Sequence, residues 1–287
     1  MMTEKKRILF TGGTGFIGRN LLPDLRGKYQ VEAPRRQELD LKDSEAVKQY
    51  VEHGKFDVII HAAIPNLLSN QEDINGNIVK DSLKVFMNFY RVRSSFGKML
   101  YFGSGAEYDK AHPIVLAKET EIGDRIPDSE YGFAKYVMNE LAASSENIYN
   151  LRIFGCYGPT DAPFKLITSA IHSCLKQEPL SLHQNCVFDY MYVKDLIPVL
   201  DYFIRHTPKY HDYNVCTGIQ TEILEISKKI QELMGNTKGI QMELPGFNNE
   251  YSGDNTRLLH EIPNLKFTPL SEGIQYQINY EKEEWKQ

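Results

Sequence analysis

Tyr131 and Lys135 stand four residues apart in Ser129-Glu-Tyr-Gly-Phe-Ala-Lys135, a stretch that reads as the start of a helix capped by Asp128 or Ser129. That spacing puts a phenol and an ammonium on one helical face. A free phenol, with a pKa of about 10, is a weak acid–base catalyst near neutrality. An ammonium one turn away favours the phenolate and is expected to lower that value. Upstream, Lys98-Met-Leu-Tyr-Phe-Gly-Ser104 reads as a strand with a serine at its carboxyl end, where parallel sheets bind ligands. A serine that holds a substrate oxygen and a tyrosine that moves its proton are what hydride exchange at an alcohol or sugar carbon requires. Alone, a Tyr-x-x-x-Lys pair is commonly a surface pair, so its meaning rests on what precedes it.

What precedes it is Arg7-Ile-Leu-Phe-Thr-Gly-Gly-Thr-Gly-Phe-Ile-Gly18. Ile8, Leu9 and Phe10 read as a buried parallel strand, broken by Gly12, Gly13, Gly15 and Gly18, with a helix resuming near Phe16. Strand, glycine turn and helix form the context of a dinucleotide fingerprint. Gly12, Thr14, Gly15, Phe16, Ile17 and Gly18 are therefore candidate cofactor contacts, with the helix N-terminus facing the phosphates.

A second strand, Tyr29 to Ala33, runs into Pro34, Arg35 and Arg36 with no acid at its tip. Arginines there suit a 2′-phosphate, so NADP(H) is preferred and NAD(H) remains possible. Asp40 and Leu41 are placed near the adenine. The strand Phe56 to Ala63 ends on Ala62 and Ala63, small enough for a cofactor to pass over them. His61 reads as a satisfied strand-end histidine. A helix is predicted from Asn75 to Phe96.

The composition narrows the setting. A net charge of −5 argues against nucleic acid as the main partner. The polar start, Met1 to Arg7, has no apolar signal core, and no apolar run approaches the roughly 18 residues a membrane span needs. A cytoplasmic protein without a membrane partner is expected. Cysteines 156, 174, 186 and 216 lack metal-ligand spacing, so reduced thiols are expected, with no metal and no disulfide framework.

In order and spacing, GGTGFIG at 12–18, HAA at 61–63, FGSGAEY at 102–108, YGFAK at 131–135 and LRIFGCYGP at 151–159 carry a resemblance. YVKDL at 192–196, YNVCTG at 213–218 and DNTRLLHEI at 254–262 extend it over nearly the whole chain. The chain resembles the extended short-chain dehydrogenase/reductases, in the branch of nucleotide-sugar epimerases, dehydratases and 4-keto reductases. The resemblance implies an α/β fold, a Rossmann-type doubly wound parallel sheet with a smaller C-terminal substrate-binding lobe. The expected division is 1–158 plus about 187–217 for the nucleotide domain, with 159–186 and 218–287 for the lobe. It further implies Ser104, Tyr131 and Lys135 as the catalytic set, with Tyr131 and Lys135 also touching the cofactor. Phe154, Gly155 and Cys156 are expected near the nicotinamide, and Ser104, Ala106, Glu107, Lys165 and Phe188 near the substrate. A homodimer through helices around 77–96 and 131–145 is expected as well.

Two positions depart from the pattern. Where many nucleotide-sugar enzymes carry an arginine for the substrate pyrophosphate, this chain has Phe188, followed by Asp189 and Tyr190. Either another cation substitutes, Lys165 and Lys176 being the candidates, or the phosphate chemistry of the substrate differs. Where the GDP-fucose synthase-like branch carries an epimerising cysteine, this chain has Ala106. Glu107 reads as a polar strand-end residue with a local partner, or else as a spare acid–base group. The expected activity is NADPH-dependent reduction of a 4-keto-6-deoxy nucleotide sugar for a surface glycan, with Tyr131 donating the proton. The alternatives are a 4-epimerase with tightly held NAD⁺ and a catalytically silent NADP sensor.

Overall fold

The computed structural model describes residues 5–64 and 77–286. In chain order the first half comprises β1 (Arg7–Thr11), α1 (Phe16–Lys28), β2 (Gln30–Glu32), α2 (Ser44–Gly54), β3 (Val58–His61), α3 (Ile78–Arg91), β4 (Lys98–Ser104), β5 (Ile114–Ala117), α4 (Glu130–Ala143) and β6 (Ile148–Ile153). The second half comprises β7 (Gly155–Tyr157), α5 (Leu166–Leu175), β8 (Leu180–Leu182), β9 (Val187–Phe188), β10 (Tyr190–Tyr192), α6 (Leu196–Arg205) and β11 (Asp212–Val215). After these come β12 (Thr221–Glu222), α7 (Ile223–Met234), β13 (Ile240–Met242), β14 (Tyr251–Gly253), α8 (Thr256–Glu261) and α9 (Leu270–Glu284). The predicted helix start at Asn75 lies outside the described residues.

Six strands form one parallel sheet in the order β2-β1-β3-β4-β6-β11. This is the doubly wound Rossmann-type arrangement. The chain leaves β1 toward β2 on one side and resumes at β3 on the other, so the crevice between the ends of β1 and β3 is the switch point where such sheets bind ligands. Ile8, Leu9 and Phe10 are fully buried, as a strand covered by helices on both faces requires. One apolar cluster joins Ile8, Phe10 and Ile60 to side chains of α1 and α6; another joins Leu9, Ile59 and Met99 to α2, α3 and α4. Three layers result, with helices on each side of the sheet.

The helix starts follow local chemistry. Asp43 caps α2 by accepting from the amides of Glu45 and Ala46, each at 3.0 Å. Ser129 caps α4 through the amide of Gly132 at 3.1 Å.

A second sheet, β12-β9-β14-β5, lies beyond the carboxyl ends of the first, and β13 pairs with β8. β5 belongs to the residues expected in the nucleotide domain, yet it pairs with β14 near the end of the chain. β9 likewise joins this outer sheet, whereas α6 and β11 return to the core. Segment 114–117 is therefore shared between the two halves. Among the described residues, no helix is long and apolar enough to cross a membrane.

Candidate active site

Ser104 ends β4 and begins a short helical turn, Gly105–Tyr108, whose Ala106 amide donates to its Oγ at 3.2 Å. Tyr131 sits in the first turn of α4, and Gly132 allows that turn to approach closely. A Cβ on Gly132 would meet the Ala106 carbonyl oxygen at 2.6 Å. The two turns therefore abut, and the Tyr131 phenol reaches the Ser104 hydroxyl. One turn further on, Lys135 is buried and donates from Nζ to the Phe102 carbonyl at 2.6 Å. The three residues predicted for proton chemistry thus meet at the carboxyl end of β4.

The expected electrostatics differ. Burial pushes the Tyr131 phenol up to about 12, against a smaller lowering by Ser104. Lys135 does not offset this. Its Nζ lies 5.9 Å from the centre of the Tyr131 ring, and burial lowers its own pKa to about 8. Desolvation outweighs the ammonium, so the phenol is held as the acid rather than the phenolate.

Glu107 does not line an open site. Its side chain is wholly buried, and its oxygens accept from the Ser104 amide at 2.9 Å, Asn150 Nδ2 at 2.9 Å and Arg152 Nε at 2.7 Å. Arg152, equally buried, extends to Asn139 of α4, Asn214 of β11 and Asp212. Glu107 has the local partners that the sequence reading expected, and its carboxylate anchors the amide of Ser104. Ala106 is also fully buried, packed with Ile78 and Tyr131.

The glycine loop closes on itself as the sequence predicts. Gly12 has φ +76°, and a Cβ there would meet the Ala62 carbonyl carbon and the Ala63 amide at 2.7 Å. A Cβ on Gly18 would meet the Gly12 oxygen at 2.5 Å. Gly15 differs, because its nearest neighbour would be the Gly12 oxygen at 3.3 Å, so its outward side is clear for a phosphate. Gly15 precedes α1 with no side chain capping the helix, and Thr14 beside it is exposed, while Phe16 and Ile17 turn partly into the core. This cradle fits a pyrophosphate. At the end of β3, His61 Nδ1 pairs with Thr11 Oγ1 at 2.8 Å. Burial and then Lys135 push it down to about 3, so it is a neutral structural residue, as predicted.

β2 ends on Glu32, an acid that the sequence reading passed over. Its carboxylate is engaged by Arg7 at 2.8 Å and by the Tyr50 hydroxyl at 3.1 Å. Arg35 and Arg36 are exposed, and neither is in an ion pair among the described residues. Asp40 is exposed and accepts from the Lys42 amide at 3.0 Å; Leu41 is partly buried, and its carbonyl accepts from Asn88.

On the outer side, a cavity of about 390 Å³ is lined by Phe188, Lys110, Phe164, Asn248 and Tyr251, among others. Phe188, expected near the substrate, is one of the residues lining this cavity. Lys165, exposed at the start of α5, lies next to the lining residues Phe164 and Leu166 but does not itself line the cavity. Lys176, at the opposite end of that helix, is also outside it. Phe154 directly follows β6. It is buried against Tyr108 and Tyr251, and a Cβ on Gly105 would strike it at 2.8 Å. Cys156 lies at β7, where burial raises its thiol well above the usual value and removes it as a nucleophile. All four cysteines are free.

Two residues escaped the sequence reading. Tyr251, in β14, reaches Ser104 with its phenol while its ring lines the cavity. Lys110 places Nζ 4.8 Å from the centre of that ring. Their only sequence signal is an aromatic residue before Ser-Gly-Asp-Asn and a lysine just past a strand-end turn.

The sheet, the glycine cradle and the Ser–Tyr–Lys convergence define a dinucleotide-dependent enzyme of the extended short-chain dehydrogenase/reductase type. The chain belongs to the NAD dependent epimerase/dehydratase family, whose model matches residues 8–216. Over 258 residues it is 25% identical to GDP-L-colitose synthase of Yersinia pseudotuberculosis, covering 80% of this chain and 82% of that one. Among solved structures it superposes on a GDP-mannoheptose C4 reductase from Campylobacter jejuni with NADP bound, with a TM-score of 0.83, 18% identity and coverage of 98% and 100%. It also superposes on a UDP-glucose 4-epimerase from Thermotoga maritima, with a TM-score of 0.81, 20% identity and coverage of 97% and 99%. Both superpositions reinforce the fold.

Proposed function

We propose that this protein reduces the 4-keto group of a nucleotide-activated sugar, with NADPH as the preferred cofactor. The observation that carries the reading is the meeting of Ser104, Tyr131 and Lys135 at the carboxyl end of β4, with the phenol protonated. When bound, the nicotinamide supplies the hydride. Ser104 orients the carbonyl oxygen, and Tyr131, an acid at neutral pH, donates the proton that turns it into a hydroxyl. Lys135 places its charge beneath the pair from its anchor on Phe102. Gly12, Gly15 and Gly18 with the start of α1 would hold the pyrophosphate, and Arg35 and Arg36 the 2′-phosphate. Occupation of Glu32 by Arg7 and Tyr50 supports that preference, because the ribose-binding acid favoured by NAD is not free. The relatives named for colitose synthesis and C4 reduction are consistent with it. With alanine at 106, the chain lacks the thiol that would exchange the proton on a carbon beside the keto group, which favours plain reduction.

The same residues would serve a 4-epimerase, and the fold is shared with one. Cofactor titration separates the two readings. NADPH should bind more tightly than NADH, and Arg35→Gln with Arg36→Gln should weaken NADPH at least tenfold while leaving NADH unchanged, about 1.5–3 kcal/mol for each charge-assisted bond lost. Consumption of NADPH with a 4-keto-6-deoxy nucleotide sugar completes the case. Retained NAD⁺, indifferent to both arginines, would replace the reductase by the epimerase.

A further inference from the structure

The outer cavity and the candidate catalytic serine share a wall. Tyr251 reaches Ser104 with its hydroxyl and lines the cavity with its ring. The cavity's volume of about 390 Å³ lies in the range of small-molecule sites, roughly 300–1,000 Å³. Its charged lining residues are Lys110, His183 and Glu250. His183 pairs with Glu243 at 2.7 Å, and Glu250 accepts from Gln220 and Ser252, so both have partners. Lys110 is in no ion pair among the described residues; its Nζ instead stands over two rings, 4.8 Å from the centre of Tyr251 and 5.9 Å from that of Phe188.

The turn that carries Lys110 is fixed by its chain neighbours. Asp109, buried, accepts from the Ala111 amide at 3.2 Å and from His112 at 2.7 Å. From the lining residue Asn249, Nδ2 donates to the Ala111 carbonyl at 3.0 Å. Lys110 as a residue is exposed, but desolvation of its ammonium against the two rings lowers its pKa, and Lys165 lowers it further. An ammonium in no ion pair among the described residues, at a cavity with aromatic walls, suits an anionic group, and Lys165, just outside the lining between Phe164 and Leu166, adds a second positive charge beside it. An ammonium acts on phosphate as a point charge, and the rings beneath Lys110 offer a stacking surface for the rest of the ligand.

We propose that Lys110 is the principal cation for the diphosphate of a nucleoside-diphosphate substrate, seated in this cavity over Phe188 and Tyr251, with Lys165 assisting. The inference rests on the nucleotide-sugar reading of the function and assigns the cation that position 188 lacks.

The test is calorimetric titration of UDP, GDP, CDP and dTDP, and of their monophosphates, into protein saturated with NADPH. Lys110→Gln should weaken the diphosphate that binds at least tenfold and its monophosphate less. Lys110→Arg should recover most of the affinity, and Lys165→Gln should have a smaller effect. NADPH affinity should be the same in all variants, which also shows that they fold. Diphosphate affinity unchanged in Lys110→Gln, or lost chiefly in Lys165→Gln, overturns the assignment of Lys110. Wild-type protein that binds NADPH but none of the four diphosphates overturns the nucleotide-sugar reading itself, and the assignment with it.

Discussion

Glu107 and Arg152 form an ion pair of 2.7 Å in which neither side chain has any exposure to solvent. The pair is also the support of the site, because the other Glu107 oxygen accepts the amide of Ser104. Burial alone would lower the guanidinium's pKa, but Glu107, Tyr108 and Asp212 outweigh it, and the net shift is upward. Arginine therefore stays charged, and its partner is needed. Removing one member of a buried pair leaves an uncompensated charge and costs about 3–5 kcal/mol. Glu107→Ala should destabilise the fold by about that amount in urea unfolding, with a corresponding loss of turnover as Ser104 loses its anchor. A change below about 1 kcal/mol would mean that water or Asp212 replaces the carboxylate.

A second consequence concerns acid stability. His61 titrates at about 3 in the folded chain against an ordinary 6.5, because it is buried beside Lys135. The folded value lies below the unfolded one, so between pH 6.5 and 3 the unfolded chain binds the extra proton. The contribution is complete above the window and is lost as pH falls through it, at up to about 1.4 kcal/mol per pH unit. His61→Gln should make the pH dependence of unfolding shallower by about one proton across that window. Equal slopes in variant and parent would place the acid sensitivity elsewhere.

What the sequence made legible was local. The glycine loop could be read because the turn has a steric rule that Gly12 and Gly18 obey, and Tyr131 with Lys135 because a helix fixes residues four apart. The doubly wound parallel sheet was implied by the resemblance, and strands alternating with helices agree with it. The Glu107–Arg152 pair joins residues far apart in the chain; the sequence marked Glu107 as a residue with a local partner but did not name Arg152, a charged residue inside the wholly buried strand Ile148–Ile153. Lys110 and Tyr251 depended on β5 pairing with β14, a contact spanning more than a hundred residues that no local pattern encodes. The direction of the phenol's shift escaped for another reason. The sequence counts neighbouring charges, whereas burial of Tyr131 is a property of the packed site and outweighs them.

Tyr251 raises the question of which phenol moves the proton, since both reach Ser104. Tyr131 shares its helical face with Lys135, whereas Tyr251 arrives from the outer sheet with its ring beneath Lys110. Tyr131 should therefore be the donor and Tyr251 the residue that fixes the serine rotamer. On that view Tyr131→Phe removes general-acid catalysis and lowers kcat by about 10²–10⁴. Tyr251→Phe removes one neutral hydrogen bond, about 1 kcal/mol or roughly fivefold in kcat. Because phenylalanine keeps the ring under Lys110, KM for the nucleotide sugar should hardly change in Tyr251→Phe, whereas Tyr251→Leu should raise it. Steady-state kinetics of the three variants decide the matter. If Tyr251→Phe were as damaging to kcat as Tyr131→Phe, the proton would be passing through Tyr251 as well, and the serine would be a relay between two phenols rather than a support for one.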